Sequence, residues 1–460
     1  EYKVIQKMKM TVKEITAACG GKLLCGDSNT IVTSVSTDSR KIDCGTLFVP
    51  IKGERTDAHT FIRATFKVGA VATLTEEHDV MDVDEHAWIS VSSTEQALQK
   101  IAAAYRRKFK IPFIGITGSV GKTTTKEMVA LALSASLNVI KTEGNFNSQI
   151  GLPLTMFNIT DEHQAAVIEM GMSNFGEMGR LAQIASPDYA VMTNIGISHI
   201  QQLKTQQNIM KEKLHITDMF NKNSVLFLNG DDAMLAGLRN KIDAKTIYFG
   251  TKSWCDFRAE NIKTEDEKTF FTLSALGKTF KIILPALGMH NVLNALAGLA
   301  VADTLNVPIE KAIEKLETYK PLAMRQQIHH VNEVTIIDDS YNASPDAIKS
   351  SINVLCEFKG GKRIAVLADM LELGECSGKA HFNVGAYAAA SGVDIVLTVG
   401  ERAKEIAKGA KSVNFNFDCY SFENNEDAIL KLKSILTAGD TVLIKGSRAM
   451  KTDKIVKAFL

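Results

Sequence analysis

No stretch of this chain approaches the run of about 18 apolar residues that a membrane-spanning helix requires. Proline is scarce, 8 residues against 31 glycines in 460, which excludes a proline-rich extended or collagen-like chain. The seven cysteines (Cys19, Cys25, Cys44, Cys255, Cys356, Cys376 and Cys419) are odd in number and scattered, with no C-x-x-C pair. That argues against a disulfide framework or a structural zinc site and fits a reducing compartment. Net charge is nearly absent, at +1, so no global field favours nucleic acid or an anionic membrane. The opening residues, EYKVIQKMKM, show no apolar leader run. A cytoplasmic protein is expected, with no nucleic-acid partner and no stable membrane insertion.

What is present is ordinary globular composition, 45% hydrophobic and 23% charged, in a chain long enough for several cores. Short apolar runs alternate with turns up to Lys110, as a small α/β domain would. From Ile111, buried-strand candidates (PFIGITG, AAVIEMG, DYAVMTNIG, SVLFLNG) alternate with helical stretches, which implies a mostly parallel sheet covered on both faces. The helix after PFIGITG is expected to carry Val129, Leu133 and Leu137 on one stripe. Residues 257–285 look like antiparallel hairpins appended to that sheet, and two helices follow. Near Pro321 the α/β pattern restarts with VTIIDDS, RIAVLADM, DIVLTVG and DTVLIKG. Domains are therefore expected over 1–110, 111–320 and 321–460.

The segment FIGITGSVGKTTTKEM carries glycines at 115, 118 and 121, then Gly-Lys-Thr-Thr. The strict P-loop glycine position is Ile116, yet the mechanics hold: a strand, a glycine loop and a helix whose N-terminus faces anionic oxygens. Lys122 can reach β- and γ-phosphates, and the Thr123 hydroxyl can ligate Mg²⁺. Gly118, Ser119, Val120, Gly121 and Thr124 complete the cradle. A P-loop alone names no reaction.

Glu169 ends the run AAVIEMG, where a strand beside the loop would deliver an acid to a metal; a solvent-facing charge is the alternative. His199 follows TNIGIS at the ligand-binding end of the next strand. In TQQNIMKEKLHITDMF, a 100° step puts Ile209, Ile216 and Phe220 on one face and Lys211, Glu212, His215 and Asp218 on the other. Lys213 falls in the apolar stripe. Either its stem snorkels to solvent, or burial lowers its pKa and the neutral amine captures CO₂ as a carbamate. Asn291 either caps a helix or reads a nucleobase edge. Arg325 lies near a domain boundary, within reach of phosphate, and Asp338 and Asp339 end an apolar strand. His329 and His330 read as surface residues.

Together these features resemble the Mur ligases, ATP-dependent enzymes that build the peptide of cell-wall precursors. The loop at 115–124, Glu169, His199 and the H-N-x-x-N-A segment at 290–295 look like theirs. So do STDSRKIDCGTLFVPIKGE, TEGNFNSQIGLP, DDSYNASPDA, VLADMLELGE and GSRAMK. The resemblance implies an α/β fold of three domains, with a central P-loop ATPase-type, mostly parallel sheet and a Rossmann-like C-terminal domain. It implies ATP and Mg²⁺, as two ions, with Lys122 and Thr123 on the phosphates and metal. Glu169, His199 and carbamylated Lys213 would be metal ligands, Asn291 would contact adenine, and Arg325 and Asp339 would complete the nucleotide site. Ser36, Thr37, Asp38, Ser39 and Arg40 would lie near a UDP moiety, and Asn145 and Asn342 near the other substrates. The implied substrates are UDP-N-acetylmuramoyl tripeptide and D-alanyl-D-alanine, joined through an acyl phosphate by a monomeric enzyme. Two departures are Ala58 and Ala368, where a glycine is frequent. A folylpolyglutamate synthetase is a rival within the superfamily, but DDSYNASP lacks its Asp-Gly-Ala-His-Asn-Pro pattern. A switch NTPase would need Asn-Lys-x-Asp, and NKNS lacks the aspartate. A cyanophycin-type polymerising ligase is disfavoured by the single P-loop unit.

Overall fold

The computed structural model describes residues 8–53, 56–76 and 85–460. Residues 1–7 of the opening segment read for a leader, and Glu54 of the motif ending IKGE, lie outside the described residues. The chain forms a mixed α/β protein of three domains.

In the central domain, nine strands make one sheet. Phe113–Thr117 sits between Ala165–Glu169 and Tyr189–Met192, parallel to both. These are apolar runs buried on both faces, the pattern a helix-covered parallel sheet demands. Val225–Asn229 and Lys245–Gly250 extend the sheet in parallel, and Phe257–Glu265, Lys268–Ala275 and Lys278–Leu284 finish it as antiparallel hairpins. One face is packed by the helices Lys122–Leu133 and Met289–Thr304. The core on the other face runs without interruption into the N-terminal domain through Leu98, Ile101 and Tyr105. Tyr105 seals that junction by donating its hydroxyl to the Ile159 carbonyl at 2.8 Å.

The N-terminal domain contains a five-stranded sheet ordered 22–25, 87–90, 70–75, 46–48 and 34–36. Ala58 opens a short 3-10 helix capped by Asp57, and its φ is not positive, so alanine sits there without strain. In the C-terminal domain six strands are ordered 327–331, 334–338, 441–445, 363–368, 395–399 and 418–422, all parallel but for the first pair. Ala368, the second departure, ends one of these strands, also at negative φ.

Three local readings require correction. The helix after the phosphate loop closes at Leu133, so Leu137 lies beyond it. Ser134 accounts for the stop, because its hydroxyl bonds back to the Leu131 carbonyl at 2.7 Å and competes with helix continuation. Glu212 is not on a solvated face: it is buried, and its two oxygens accept the N–H groups of Gly176 and Met178 at 3.0 Å each, at the N-terminus of helix Glu177–Ala185. That terminus concentrates unpaired donors, which draw the acid inward. His330 is exposed and pairs with Glu267 at 2.9 Å, whereas His329 is half-buried with an unpartnered Nε2.

Candidate functional site

Strand register builds the site. Glu169 pairs across from Ile116 and Met192 from Thr117, so the C-terminal ends of three strands finish level. The loop 118–121, Glu169 and Thr193 therefore emerge side by side. Gly118 (φ +150°) and Gly121 (φ +86°) give the loop its turns. Asn194 then pins it: its carbonyl accepts the Ser119 N–H at 3.0 Å and its Oδ1 accepts the Val120 N–H at 2.9 Å. Thr193 donates to the Val120 carbonyl at 2.5 Å, and the Ser119 hydroxyl accepts the Gly196 N–H at 2.9 Å. Ser119 and Val120 have their amides engaged, which leaves the first-turn N–H groups of the helix opened by Lys122, Thr123 and Thr124 as the free donors at this end of the loop.

Gly118 also gives a measurable expectation. A Cβ there would overlap the Thr193 hydroxyl, and its φ disfavours any L side chain. Gly118→Ala is expected to cost about 1–3 kcal/mol by overpacking and to lower the melting temperature by several degrees. An unchanged melting curve would show that the loop can re-form around a side chain.

Two lysines converge on one carbonyl. Lys122 Nζ donates to the Gly118 oxygen at 2.8 Å, and Lys213 Nζ to the same oxygen at 3.1 Å. Lys213 does not snorkel: it is 2% exposed, on helix Gln206–Leu214. Burial first, then the neighbouring Lys122 charge, hold its pKa well below the ordinary 10.5, against an opposing pull from Glu212. Lys122 is lowered too, by burial and by Arg325, with Glu169 acting the other way.

Glu169 is buried. Its Oε1 accepts Asn147 Nδ2 at 2.7 Å, while Oε2 has no hydrogen-bond partner. His199 adopts a left-handed backbone (φ +61°), and its Nδ1 lies 2.9 Å from Glu372 of the C-terminal domain without hydrogen-bond alignment. Burial lowers its pKa most, and Glu372 opposes that shift.

Lys122, Glu169 and His199 open onto one cavity of about 1910 Å³, which also receives Asn145, Asn291, Arg325, Asp339 and Asn342; Lys213 lies behind the loop and does not line it. Asn291 is not the helix cap, which is Gly288; its Nδ2 donates to the Leu287 carbonyl at 2.8 Å. Arg325 stacks on Tyr341 at 4.1 Å, between the left-handed residues Met324 and Gln326. Asp339 is held by Lys445 at 2.6 Å and Ser351 at 2.5 Å. Asn342 accepts the Ala343 N–H. Ser36, Thr37, Asp38, Ser39 and Arg40 are not brought into the cavity. In their own segment, outside it, Arg40 grips Asp38 through two side-chain bonds, at 2.8 and 2.9 Å, and holds the pKa of its carboxyl down to about 2. Asn147, Asn194, Tyr341 and Lys445 escaped the sequence reading; the second asparagine of NFNSQ was the available signal for the first of them.

Three family descriptions match the chain: "Mur ligase family, catalytic domain" over residues 31–106, "Mur ligase middle domain" over 116–302, and "Mur ligase, glutamate ligase domain" over 324–448. The UDP-N-acetylmuramoyl-tripeptide–D-alanyl-D-alanine ligase of Bacillus subtilis (strain 168) is 38% identical over 98% of both chains. The crystal structure of MurF from Acinetobacter baumannii superposes with a TM-score of 0.92 over 99% of both chains at 27% identity. The MurF ligase of Thermotoga maritima, solved in complex with ADP, gives 0.83 at 30% identity, covering 93% of this chain and 96% of that one. With its phosphate loop, strand-end acid and buried lysine set on this three-domain frame, the chain belongs to the Mur ligase family.

Proposed function

We propose that the protein is an ATP-dependent, ADP-forming peptide ligase that adds D-alanyl-D-alanine to UDP-N-acetylmuramoyl tripeptide, a step in making peptidoglycan precursors. One observation carries the reading: the phosphate loop, Glu169 and, from the third domain, Arg325 and Asn342 share a single cavity, where a nucleotide and two further substrates can meet. A switch NTPase has no use for that additional room.

The chemistry follows from the groups. The acceptor's terminal carboxylate attacks the γ-phosphorus, ADP departs, and a mixed acyl–phosphate anhydride remains. The free amine of the dipeptide adds to the acyl carbon; the adduct loses a proton and expels phosphate. Two anions approach in the first step, so Lys122 and the first-turn amides act as fixed positive charge where negative charge gathers. Water would hydrolyse the anhydride, and the enclosure by the third domain keeps it out.

Magnesium, proposed as two ions, supplies charge neutralisation on the phosphates when bound. Thr123, Glu169, His199 and carbamylated Lys213 would hold it. The donor chemistry fits, since Glu169 Oε2 and His199 Nδ1 are buried without hydrogen-bond partners. Among the described residues no three His, Cys, Asp or Glu side chains cluster closely enough to hold a metal alone. A carbamate on Lys213 would add the hard oxygen donors such an ion prefers.

In this reading residues 1–110 hold the UDP-sugar near Ser36, Thr37, Asp38, Ser39 and Arg40. Residues 111–320 hold ATP, with Asn291 at the adenine and Arg325 and Asp339 reaching in from the junction. Residues 321–460 hold the dipeptide, with Asn342 in contact and Asn145 beside the acceptor. The enzyme works as a cytoplasmic monomer; no helix among the described residues is long and apolar enough to cross a membrane.

Phosphate release tests the reading. With ATP, Mg²⁺ and UDP-muramoyl tripeptide present, restoring D-alanyl-D-alanine should raise release well above the dipeptide-free rate. In CO₂-depleted buffer the rate should fall and recover with bicarbonate. Release at background in the complete mixture would end the proposal; indifference to bicarbonate would remove the carbamate alone.

A further inference from the structure

Lys126 lies one helical turn beyond Lys122 and is 1% exposed, yet the chemistry above does not use it. A buried ammonium is costly unless its donors are met. Its Nζ donates to the Thr142 carbonyl at 2.6 Å and lies 3.2 Å from Glu127 Oε1. Lys141 takes the other oxygen of Glu127. The same ammonium lies 3.9 Å from Glu169 Oε2, the oxygen without a hydrogen bond.

The segment that Lys126 braces is the one that wraps Glu169. Thr142 Oγ1 accepts the Glu169 N–H at 2.9 Å, and the Thr142 N–H bonds to the Val167 carbonyl at 3.0 Å. Five residues on, Asn147 donates to Glu169 Oε1, while its own carbonyl accepts the Gly171 N–H at 2.8 Å. Main chain and one carboxylate oxygen are thus fixed by uncharged groups. The free oxygen faces a cation that cannot move away.

We propose that Lys126 is a positioning residue for Glu169: held by Thr142 and Glu127 beside the free oxygen, its fixed charge weakens the hold of that carboxylate on a divalent cation, so the ion can leave with the spent nucleotide. The proposal rests on the reading of Glu169 as a metal-facing acid. The competing view makes Lys126 only the buried partner of Glu127.

Mn²⁺ binding to the full-length protein with ADP, followed by electron paramagnetic resonance, separates them. Glu169→Gln should weaken Mn²⁺ by about tenfold or more. Lys126→Met should tighten it by about threefold or more, because a repelling charge is removed, and should lower kcat while the half-saturating Mg²⁺ concentration falls. Lys126→Met added to Glu169→Gln should change nothing further, since the effect acts through that acid. Lys126→Arg, which keeps the charge, should stay near the wild-type affinity. If Glu169→Gln leaves Mn²⁺ binding unchanged, the metal-facing reading fails first. If Glu169→Gln weakens binding while Lys126→Met leaves it at or below the wild-type affinity, the positioning role fails alone. Lys126→Gln, which retains a donor for Thr142, carries the same expectation should the methionine variant not fold. Loss of folding in both, with Lys126→Arg folded, would reduce Lys126 to a structural partner and overturn the proposal.

Discussion

Replacing Lys122 by alanine is expected to lower kcat/KM for phosphate release by about a thousandfold or more, with the melting temperature nearly unchanged. The loop owes its shape to Thr193 and Asn194, not to this lysine. Its shorter bond, to the Gly118 carbonyl at 2.8 Å, leaves that oxygen a donor in Lys213, and its second, to the Ser119 carbonyl, is long at 3.5 Å. The side chain is therefore dispensable for folding and is needed once phosphate enters and negative charge builds on the transferring group. Arginine should not restore the rate, because a planar fork cannot replace a compact point charge in a loop this tight. Precursor elongation continuing undiminished in Lys122→Ala would mean that the nucleotide is not consumed at this loop.

Lys213→Met should abolish activity and make the protein more stable. Burial lowers the pKa of this lysine far below 10.5, so folding at neutral pH must strip or shelter a proton that the unfolded chain would hold. Methionine fills the stripe beside Ile209 and Ile216 without that cost, and Lys122 still serves the Gly118 carbonyl. A gain of about 0.5–2 kcal/mol is expected, of the size found when functional strain is removed. The sign with pH follows from linkage: the unfolded chain binds more protons at this site, so wild-type stability rises as pH climbs from the folded pKa toward the unfolded one. The advantage of the methionine variant is therefore full below the folded pKa and shrinks as pH approaches 10.5. Denaturant melts at several pH values measure it; a variant less stable than wild type at neutral pH would show that Lys213 is a packing residue.

The central sheet was legible because its strands are continuous apolar runs: Phe113–Thr117, Ala165–Glu169, Tyr189–Met192 and Val225–Asn229 are buried along almost their whole length. Strands without such runs were missed. Gln327–Val331 and Asp418–Phe422 lie at the two edges of the C-terminal sheet, half exposed, and no apolar run marks them. The wheel that placed Lys213 correctly in the apolar stripe misplaced Glu212, because a wheel knows one helix and not the helix terminus packed against it. Glu169 and Lys122 could be singled out since a strand end and a glycine loop are local patterns. Lys126 and Lys445 could not, because their roles arise from contacts 16 and 106 residues away along the chain.

The shared hollow has a pharmacological corollary. Its walls come from Glu95 in the first domain, Lys122 in the second and Asn342 in the third. A compound wedged between His199 and Glu372, which meet across the second and third domains, would arrest turnover by locking those domains at a fixed angle, without resembling ATP. Resistance to such a drug would then arise at the domain seam, leaving the nucleotide contacts intact.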